Sequence, residues 1–366
     1  MKSYPVTDPS KLEMMLFDAG LMQEVSPAVI YDIKGRTSVQ QIWEFEELDR
    51  PRPDVHDPEQ WDCGNAEAWI RWEFFSYNLR DCKTVLDVGC GEGRAACYIA
   101  RTVPEVTAVD ISSVQIELAR RRAERLGVSN CRFDVADIRS LPFPDECFDG
   151  VCFSGNVLTY GSYQPQALSE ICRVLKPGRV FALEQWPLDP TRHPTRVKVA
   201  WFIDGGPPIV HCNASTGLYS RSLFVHLKPD SPEGGRLADA ATRMNGLLSD
   251  DQRQVCEEIL SEIEAGESEC VEKVLYGGED RSIAADELPA MLHAAGFDGF
   301  ESWALRNPSA FAKSLRHDGV LSRLQQEDLA PFLRALVASS PTSTKWDHDK
   351  VTCRKIVRGE LQEAVR

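Results

Sequence analysis

Between residues 83 and 186, short apolar runs alternate with helical segments, and this alternation constrains the fold more than any other feature of the chain. The first run, residues 84–88, ends in a glycine-rich turn, and four further apolar runs follow at 106–109, 131–135, 148–153 and 179–183. Strands joined through helices run parallel, and near-continuous apolar strands are typical of a sheet covered on both faces. We therefore predict an α/β fold with a doubly wound parallel sheet.

Composition and charge exclude several classes of protein. The chain has 366 residues, of which 43% are hydrophobic and 27% charged, as is ordinary for a folded protein. Its 41 Lys and Arg against 56 Asp and Glu give a net charge of −15, which disfavours binding to nucleic acid. No apolar run is long enough for a membrane span, and the N-terminus lacks the apolar core of a signal peptide. We therefore expect a cytoplasmic protein without a membrane span.

Changes of pattern along the chain predict four regions. They are an N-terminal helical cap or lid at 1–82, a core at 83–186, an acidic mixed insertion after strand five at 187–283, and a completion of the core at 284–366. The aromatic run at 69–75 is predicted to form the core of the cap itself. Residues 250–274 are predicted as an amphipathic helix, and 351–357 as an antiparallel edge strand.

Acidic residues follow the first three strands at their carboxyl ends, where ligands bind in open α/β sheets. Asp87 suits a ligand with an ammonium group, Asp110 can accept hydrogen bonds from ribose hydroxyls, and Asp137 can accept from an adenine amino group. An ammonium group, a ribose and an adenine together describe S-adenosyl-L-methionine. A dinucleotide is the alternative, but the G-x-G-x-G spacing followed by Arg94 departs from the G-x-G-x-x-G that dinucleotides favour.

With these motifs, the chain resembles the class I S-adenosylmethionine-dependent methyltransferases, in particular the branch that acts on small molecules. The motifs that carry the resemblance are Asp87-Val88-Gly89-Cys90-Gly91-Glu92-Gly93, Val109-Asp110-Ile111-Ser112, Ala136-Asp137, Leu141-Pro142-Phe143, Phe148-Asp149-Gly150-Val151 and Arg173-Val174-Leu175-Lys176-Pro177-Gly178. The resemblance implies a seven-stranded Rossmann-like sheet. It also implies methyl transfer to a small-molecule substrate by in-line displacement. The large insertions give no basis for transferring the identity of the substrate.

The resemblance further implies where the cofactor binds. The expected cofactor residues are Asp87, Gly89, Cys90, Gly91, Asp110, Ile111, Asp137, Ile138 and Ser154. Asp87, Gly89 and Gly91 are expected around the methionine moiety. Asp110 is expected at the ribose and Asp137 at the adenine amino group. Ile111 and Ile138 are expected beside the adenine ring, and Ser154 near the methionine or the substrate.

The sequence assigns no catalytic base, because a methyl group that is already activated needs a base only when the nucleophile arrives protonated. The candidates are His193 and His211, which follow strand five, and Glu184 at the end of that strand. Glu184, Gln185 and Trp186 are all expected at the ligand edge of the sheet. No pair of cysteines has the C-x-x-C spacing of a zinc site, so we expect no metal.

Several alternatives stay open at this point. Twelve cysteines suggest an arsenite methyltransferase, for which Cys63 and Cys212 are the candidates outside the core. The chain could instead be a non-catalytic module that binds S-adenosylmethionine or a partner, or use the cofactor for cyclisation or decarboxylation. The three arginines at 120–122 are predicted to lie on a solvated helix face with Glu117. The sequence also leaves a homodimer open.

Overall fold

The computed structural model describes most of the predicted core and parts of the regions around it. The described residues are 14, 16–36, 66–154, 158, 164–185, 196–200, 209–216, 219–235, 261, 268–277, 280–281, 283–284, 287–305, 333–343 and 350–357. They divide into two compact units, one built from 1–51 with 189–282 and the other from 52–188 with 283–366. The N-terminal segment therefore belongs with the region that follows strand five.

Strands outnumber helices among the described elements. In chain order the strands are β1 Met22–Glu24, β2 Thr84–Val88, β3 Glu105–Asp110, β4 Cys131–Val135, β5 Phe148–Phe153, β6 Leu175–Glu184, β7 Arg196–Ala200, β8 Ile209–Thr216, β9 Tyr219–Leu227, β10 Val271–Tyr276, β11 Asp280–Arg281, β12 Phe297–Trp303, β13 Thr342–Ser343 and β14 Lys350–Lys355. The helices are α1 Pro27–Arg36, α2 Ala66–Leu79, α3 Arg94–Ile99, α4 Ser113–Arg125, α5 Gln164–Val174 and α6 Glu287–Ala294. Within the described ranges, no helix is both long and apolar enough to cross a bilayer.

The sheet of the larger unit has the strand order β13-β12-β14-β6-β5-β2-β3-β4. Strands β6, β5, β2, β3 and β4 run parallel to one another. Strands β12, β13 and β14 pair in antiparallel fashion, and β14 also pairs with β6 in this way. This arrangement confirms the predicted doubly wound α/β fold. The two-residue β13 adds to the seven strands that the resemblance implied.

The position of β14 corrects one prediction. The sequence predicted an edge strand at 351–357, but β14 lies inside the sheet, between β12 and β6. Val351 and Cys353 are completely buried, and Thr352 on the opposite side of the strand is nearly so. A strand that is covered on both faces needs a neighbour on each side for its backbone hydrogen bonds, which explains its place.

Helices cover both faces of this sheet, and α2 is one of them. Residues of α2, α3 and α4 share one apolar cluster with the sheet, and residues of α5 and α6 share a second cluster on the other face. Trp72, Phe74 and Phe75 of α2 belong to the first cluster, together with Val85 and Val106 of the central strands. The aromatic run therefore packs into the core of the larger unit, which differs from the predicted separate core of a cap.

The smaller unit contains a second sheet, in the order β1-β10-β9-β8-β7, with β11 also paired to β9. All pairs are antiparallel except β1 with β10. Helix α1 packs on this sheet through Ile30 and Ile33, which contact a cluster formed with Ile209, Phe224 and Leu275. Residues 271–274 belong to β10, so the helix predicted at 250–274 is wrong over that end. The buried Val271 and Val274 pair with β9, which favours the extended form.

Candidate functional site

The glycine-rich turn between β2 and α3 forms one side of the candidate site. Gly89, Gly91 and Gly93 have φ angles of 67°, 52° and 77°, a region in which residues with a Cβ are strained. A Cβ on Gly93 would lie 2.8 Å from the ring of Phe133, so this position also requires glycine for space. A Cβ on Gly91 would meet nothing within 4 Å, which leaves open space beside that residue.

Asp87 is the penultimate residue of β2 and is completely buried. Its Oδ1 accepts hydrogen bonds from Ser154 Oγ at 3.4 Å and from Cys152 Sγ at 3.5 Å. Among the described residues, no donor reaches its other oxygen, Oδ2. A buried carboxylate oxygen without a donor is costly unless a ligand supplies one.

Burial determines the protonation of Asp87. The pKa of this carboxyl is raised from 3.8 to about 7, mainly by desolvation and to a smaller extent by the nearby charge of Asp110. The hydrogen bonds from Cys152 and Ser154 act against this rise because they stabilise the ionised form. A cationic group beside Oδ2 would therefore favour the ionised carboxylate.

Asp110, at the end of β3, is used by the backbone on both of its carboxylate oxygens. Gly91 N donates to Oδ2 at 2.9 Å, and Ser112 N donates to Oδ1 at 2.9 Å. Ser112 in turn caps α4, because its Oγ accepts from Gln115 N at 3.1 Å. Asp110 thus fixes both the glycine turn and the start of α4, and sequence reasoning missed this role.

Arg122 is a second residue whose role the sequence reasoning missed. The prediction placed Arg122 on a solvated helix face, but the residue is only 8% exposed. Its Nε donates to the Glu92 carbonyl oxygen at 3.0 Å, and its guanidinium also pairs with the Glu92 carboxylate at 2.7 Å. The signal was available in the helical spacing, since Ile116, Ala119 and Ala123 form the buried face of α4 and Arg122 lies on it.

The residues predicted at the adenine follow β3 and β4. Asp137 and Ile111 are half-buried, as is Ile138, which packs against the second apolar cluster. The guanidinium of Arg139 donates to both carboxylate oxygens of Asp137, with Nε 3.0 Å from each. These hydrogen bonds hold the pKa of Asp137 below its usual value. In this structure the Asp137 carboxylate is therefore occupied by Arg139, a contact that the sequence did not predict.

Glu184 lies on the same face of the sheet as Asp87. Asp87 is opposite Cys152 and Cys152 is opposite Ala182 in neighbouring parallel strands. Glu184 is two residues beyond Ala182 and so projects from that same face, since side chains alternate along a strand. Glu184 is 2% exposed, and its Oε1 lies 3.0 Å from Nε of Arg71 on α2.

The structure describes only some of the other residues that were predicted near the acceptor. His193 and Trp186 lie outside the described residues. His211 lies in β8, opposite Lys198 and Phe224 in the second sheet. Gln185 is 1% exposed, and no described donor reaches its Oε1.

The thiols of Cys90 and Cys152 are buried in the apolar core of the larger unit. Burial raises the pKa of Cys90 and Cys152, so these thiols stay protonated near neutral pH. Cys63 lies outside the described residues, and Cys212 lies in β8. Where side chains are described, no set of three His, Cys, Asp or Glu residues is arranged to hold a metal ion.

Residues 85–178, which contain the glycine turn and the acids at the ends of β2, β3 and β4, match the family model described as a methyltransferase domain. The chain carries a class I S-adenosylmethionine-dependent methyltransferase domain. S-adenosylmethionine is the cofactor of this domain. The predicted family and cofactor are thereby confirmed.

Relatives of the methyltransferase domain include enzymes named for different small molecules. A sterol 24-C-methyltransferase of Pneumocystis carinii is 36% identical over 110 residues, which are 30% of this chain and 29% of the relative. A demethylmenaquinone methyltransferase of Thermus thermophilus is 36% identical over 128 residues, which are 34% of this chain and 57% of the relative. The chain thus spans 29% and 57% of the length of these curated relatives.

Solved structures resemble the chain more loosely. The S-adenosylmethionine-bound amino pentose methyltransferase CalS10 of Micromonospora echinaspora is 17% identical, with a TM-score of 0.39. The match covers 68% of this chain and 88% of that one. At this TM-score the likeness adds nothing to what the methyltransferase-domain match shows.

Two observations show that the methyltransferase domain has groups that fit its cofactor. The methionine moiety carries an ammonium group, and Asp87 Oδ2 is a buried acceptor that no described donor reaches. The space beside Gly91 would admit a ligand against the backbone, and this turn lies at the same end of β2 as Asp87. The residues present are therefore compatible with S-adenosylmethionine at the carboxyl ends of β2 and β3.

Proposed function

We propose that the whole chain is a methyltransferase that transfers a methyl group from S-adenosylmethionine to a small-molecule acceptor. The observation that carries the proposal is the buried Asp87 carboxylate, whose Oδ2 has no described donor, beside the glycine turn of a methyltransferase domain. The sterol and demethylmenaquinone relatives support a small molecule as the acceptor, because both are named for one. The chemical identity of that acceptor is left to experiment.

The proposed cofactor contacts follow the order of the strands. Asp87 would accept a hydrogen bond from the ammonium group, and the backbone of Gly89, Cys90 and Gly91 would line the methionine moiety. Ser154 donates to Asp87 in the structure, so it would hold the carboxylate in place for this contact. These groups orient the cofactor, which when bound supplies a methyl group already activated on a sulfonium centre.

The nucleoside contacts are proposed along β3 and β4. Asp110 would accept from the ribose hydroxyls while its two oxygens keep their backbone donors, Gly91 N and Ser112 N. Ile111 and Ile138 would pack on the adenine ring. Asp137 would meet the adenine amino group while it keeps its ion pair with Arg139.

The acceptor side of the site is proposed at Glu184. This buried carboxylate projects from the same sheet face as Asp87, from a strand that lies about 10 Å away across the sheet. Arg71 holds it through an ion pair. Glu184 would accept a hydrogen bond from the N–H or O–H of the acceptor and so orient the attacking atom. Such alignment of two reactants lowers the barrier to reaction substantially.

A transfer assay tests the proposal. The purified full chain is incubated with S-adenosylmethionine carrying a labelled methyl group and with a whole-cell extract, and label is followed in the low-mass, protein and RNA fractions. The proposal predicts labelled low-mass product with wild-type protein and none with Asp87→Asn. Cofactor binding without transfer to any fraction would contradict the enzyme proposal and favour a binding module. Label in protein or RNA alone would contradict the small-molecule proposal.

Glu184→Gln tests the acceptor side separately. The substitution keeps the shape of the side chain but removes its charge, so turnover should fall by about tenfold or more, while affinity for the cofactor changes little. Turnover of extract-derived acceptor and calorimetric titration with S-adenosylhomocysteine measure the two effects. Equal turnover of variant and wild type would rule Glu184 out.

A further inference from the structure

The side chain of Glu92, in the middle of the glycine turn, is bound by two arginines. Its Oε1 lies 2.6 Å from the guanidinium of Arg94, and its Oε2 lies 2.7 Å from that of Arg122. The two arginines differ in exposure, since Arg94 is 39% exposed and Arg122 only 8%. The buried arginine therefore makes the contact that water screens least.

Arg122 binds more than the carboxylate. Its Nε also donates to the Glu92 carbonyl oxygen at 3.0 Å, so one guanidinium holds the main chain and the side chain of the same turn residue. Two nitrogens of the planar guanidinium thus donate to two different oxygens of Glu92. Lysine could not replace this arrangement, because its ammonium group is a single point charge. The contact thus fixes the orientation of the peptide between Glu92 and Gly93.

The glycine turn needs such an external support. Three of its five residues are glycines with positive φ, and glycine loses more conformational freedom on ordering than any other residue. Besides Arg122, the turn is joined to β3 through Gly91 N and Asp110 Oδ2, at 2.9 Å. Arg122 lies on α4, the helix whose first residues follow Asp110. The turn at the methionine and the acid at the ribose are therefore both connected to one helix.

We propose that Arg122 is a positioning residue that, through Glu92, holds the glycine turn in the conformation that binds S-adenosylmethionine. This inference rests on the proposed function of the turn as the methionine site. Arg122 does not touch the cofactor in this account. It lowers the entropic cost of binding, because the turn is already ordered before the ligand arrives.

Calorimetric titration with S-adenosylmethionine, well below the unfolding temperature, tests this role without any turnover. Arg122→Met keeps the apolar stem but removes both donors, and we expect its Kd to rise by about tenfold or more, the range of charge-assisted hydrogen bonds. Arg122→Lys should recover part of the loss. Arg121→Met is the matched control, because Arg121 is an exposed neighbour that pairs with the exposed Glu117 at 2.9 Å. Its Kd should equal that of the wild type.

A double-mutant cycle shows whether Arg122 acts through Glu92. Glu92→Gln should also weaken binding, and the double variant should lose less than the product of the two single effects. Glu92→Gln carries the test by itself if Arg122→Met does not fold. Multiplicative effects, or a wild-type Kd in Arg122→Met, would overturn the inference. Failure of the wild-type protein to bind the cofactor would instead overturn the proposed function, so the two failures are distinguishable.

Discussion

At the scale of single residues, the chemistry of the candidate site depends on how two carboxylates are satisfied. Asp87 has one oxygen bound by Ser154 and Cys152, and its other oxygen has no donor among the described residues. Asp110 has a backbone donor on each oxygen. The first carboxylate is therefore suited to a ligand, whereas the second supports the local fold as well as any ribose contact.

The protonation of Asp87 predicts a pH dependence of stability without cofactor. Its pKa is raised from 3.8 to about 7 in the folded protein, so between these values the folded state holds a proton that the unfolded chain has released. The contribution of Asp87 to the free energy of unfolding therefore falls as the pH rises through this window. Asp87→Asn cannot ionise, so its stability relative to the wild type should rise between about pH 5 and about pH 8.

Urea denaturation of both proteins at the two pH values measures this difference. Comparing the variant with the wild type cancels the titration of all other groups that the two proteins share. A constant difference between the two free energies of unfolding would mean that Asp87 is ionised in the folded protein throughout this range.

Asp110→Ala should destabilise the protein even when no cofactor is present. The substitution leaves Gly91 N and Ser112 N without their acceptor, which should cost about 1 to 3 kcal/mol of unfolding free energy. Asp134→Ala is the control, because Asp134 is a half-buried acid of β4 whose side chain is 42% exposed and pairs with Arg132. The loss of unfolding free energy in Asp134→Ala should stay below about 1 kcal/mol. Equal stabilities of the two variants in urea denaturation would contradict the structural role of Asp110.

At the scale of elements, α2 belongs to the core that supports the site. Phe74 is completely buried and packs edge-on against Phe75 and Trp303, with ring centroids 5.1 and 5.7 Å apart. The same helix carries Arg71, which pairs with Glu184 at the carboxyl end of β6. Packing of α2 therefore also fixes the proposed acceptor contact.

Truncation of an aromatic side chain of α2 tests whether this helix belongs to the core or forms a detachable lid. Phe74→Ala should lower the free energy of unfolding by about 3 to 5 kcal/mol, as expected for a large cavity in a core. Tyr77→Ala, on the half-buried side of the same helix, should cost clearly less. Chemical denaturation followed by tryptophan fluorescence gives both values. A Phe74→Ala protein as stable as the wild type would show that α2 is a lid after all.

At the scale of the whole molecule, the parts that could be predicted are those with local signals. The strand–helix alternation over 83–186 predicted the parallel sheet. The pairing of β1 with β10 could not be predicted, because the two strands are far apart in the chain and short. The place of β14 inside the sheet likewise depends on non-local pairing with β6 and β12.

In the candidate site, too, local features could be predicted and contacts between distant residues could not. The acids at the strand ends were predictable because parallel strands bring their carboxyl ends to one edge. The partners of those acids were not, since the contacts of Asp110 with Gly91 and of Asp137 with Arg139 depend on backbone and side-chain geometry in three dimensions. Arg122 was predictable in part from the buried face of α4, but its acceptor on Glu92 was not.

The most direct test of the central claim is a calorimetric titration of the purified full chain with S-adenosylmethionine. We expect saturable binding to one site, loss of most of the affinity in Asp87→Asn, and no competition by NAD. Absence of binding by the wild type, or equal affinity in Asp87→Asn, would contradict the assignment of this carboxylate to the cofactor.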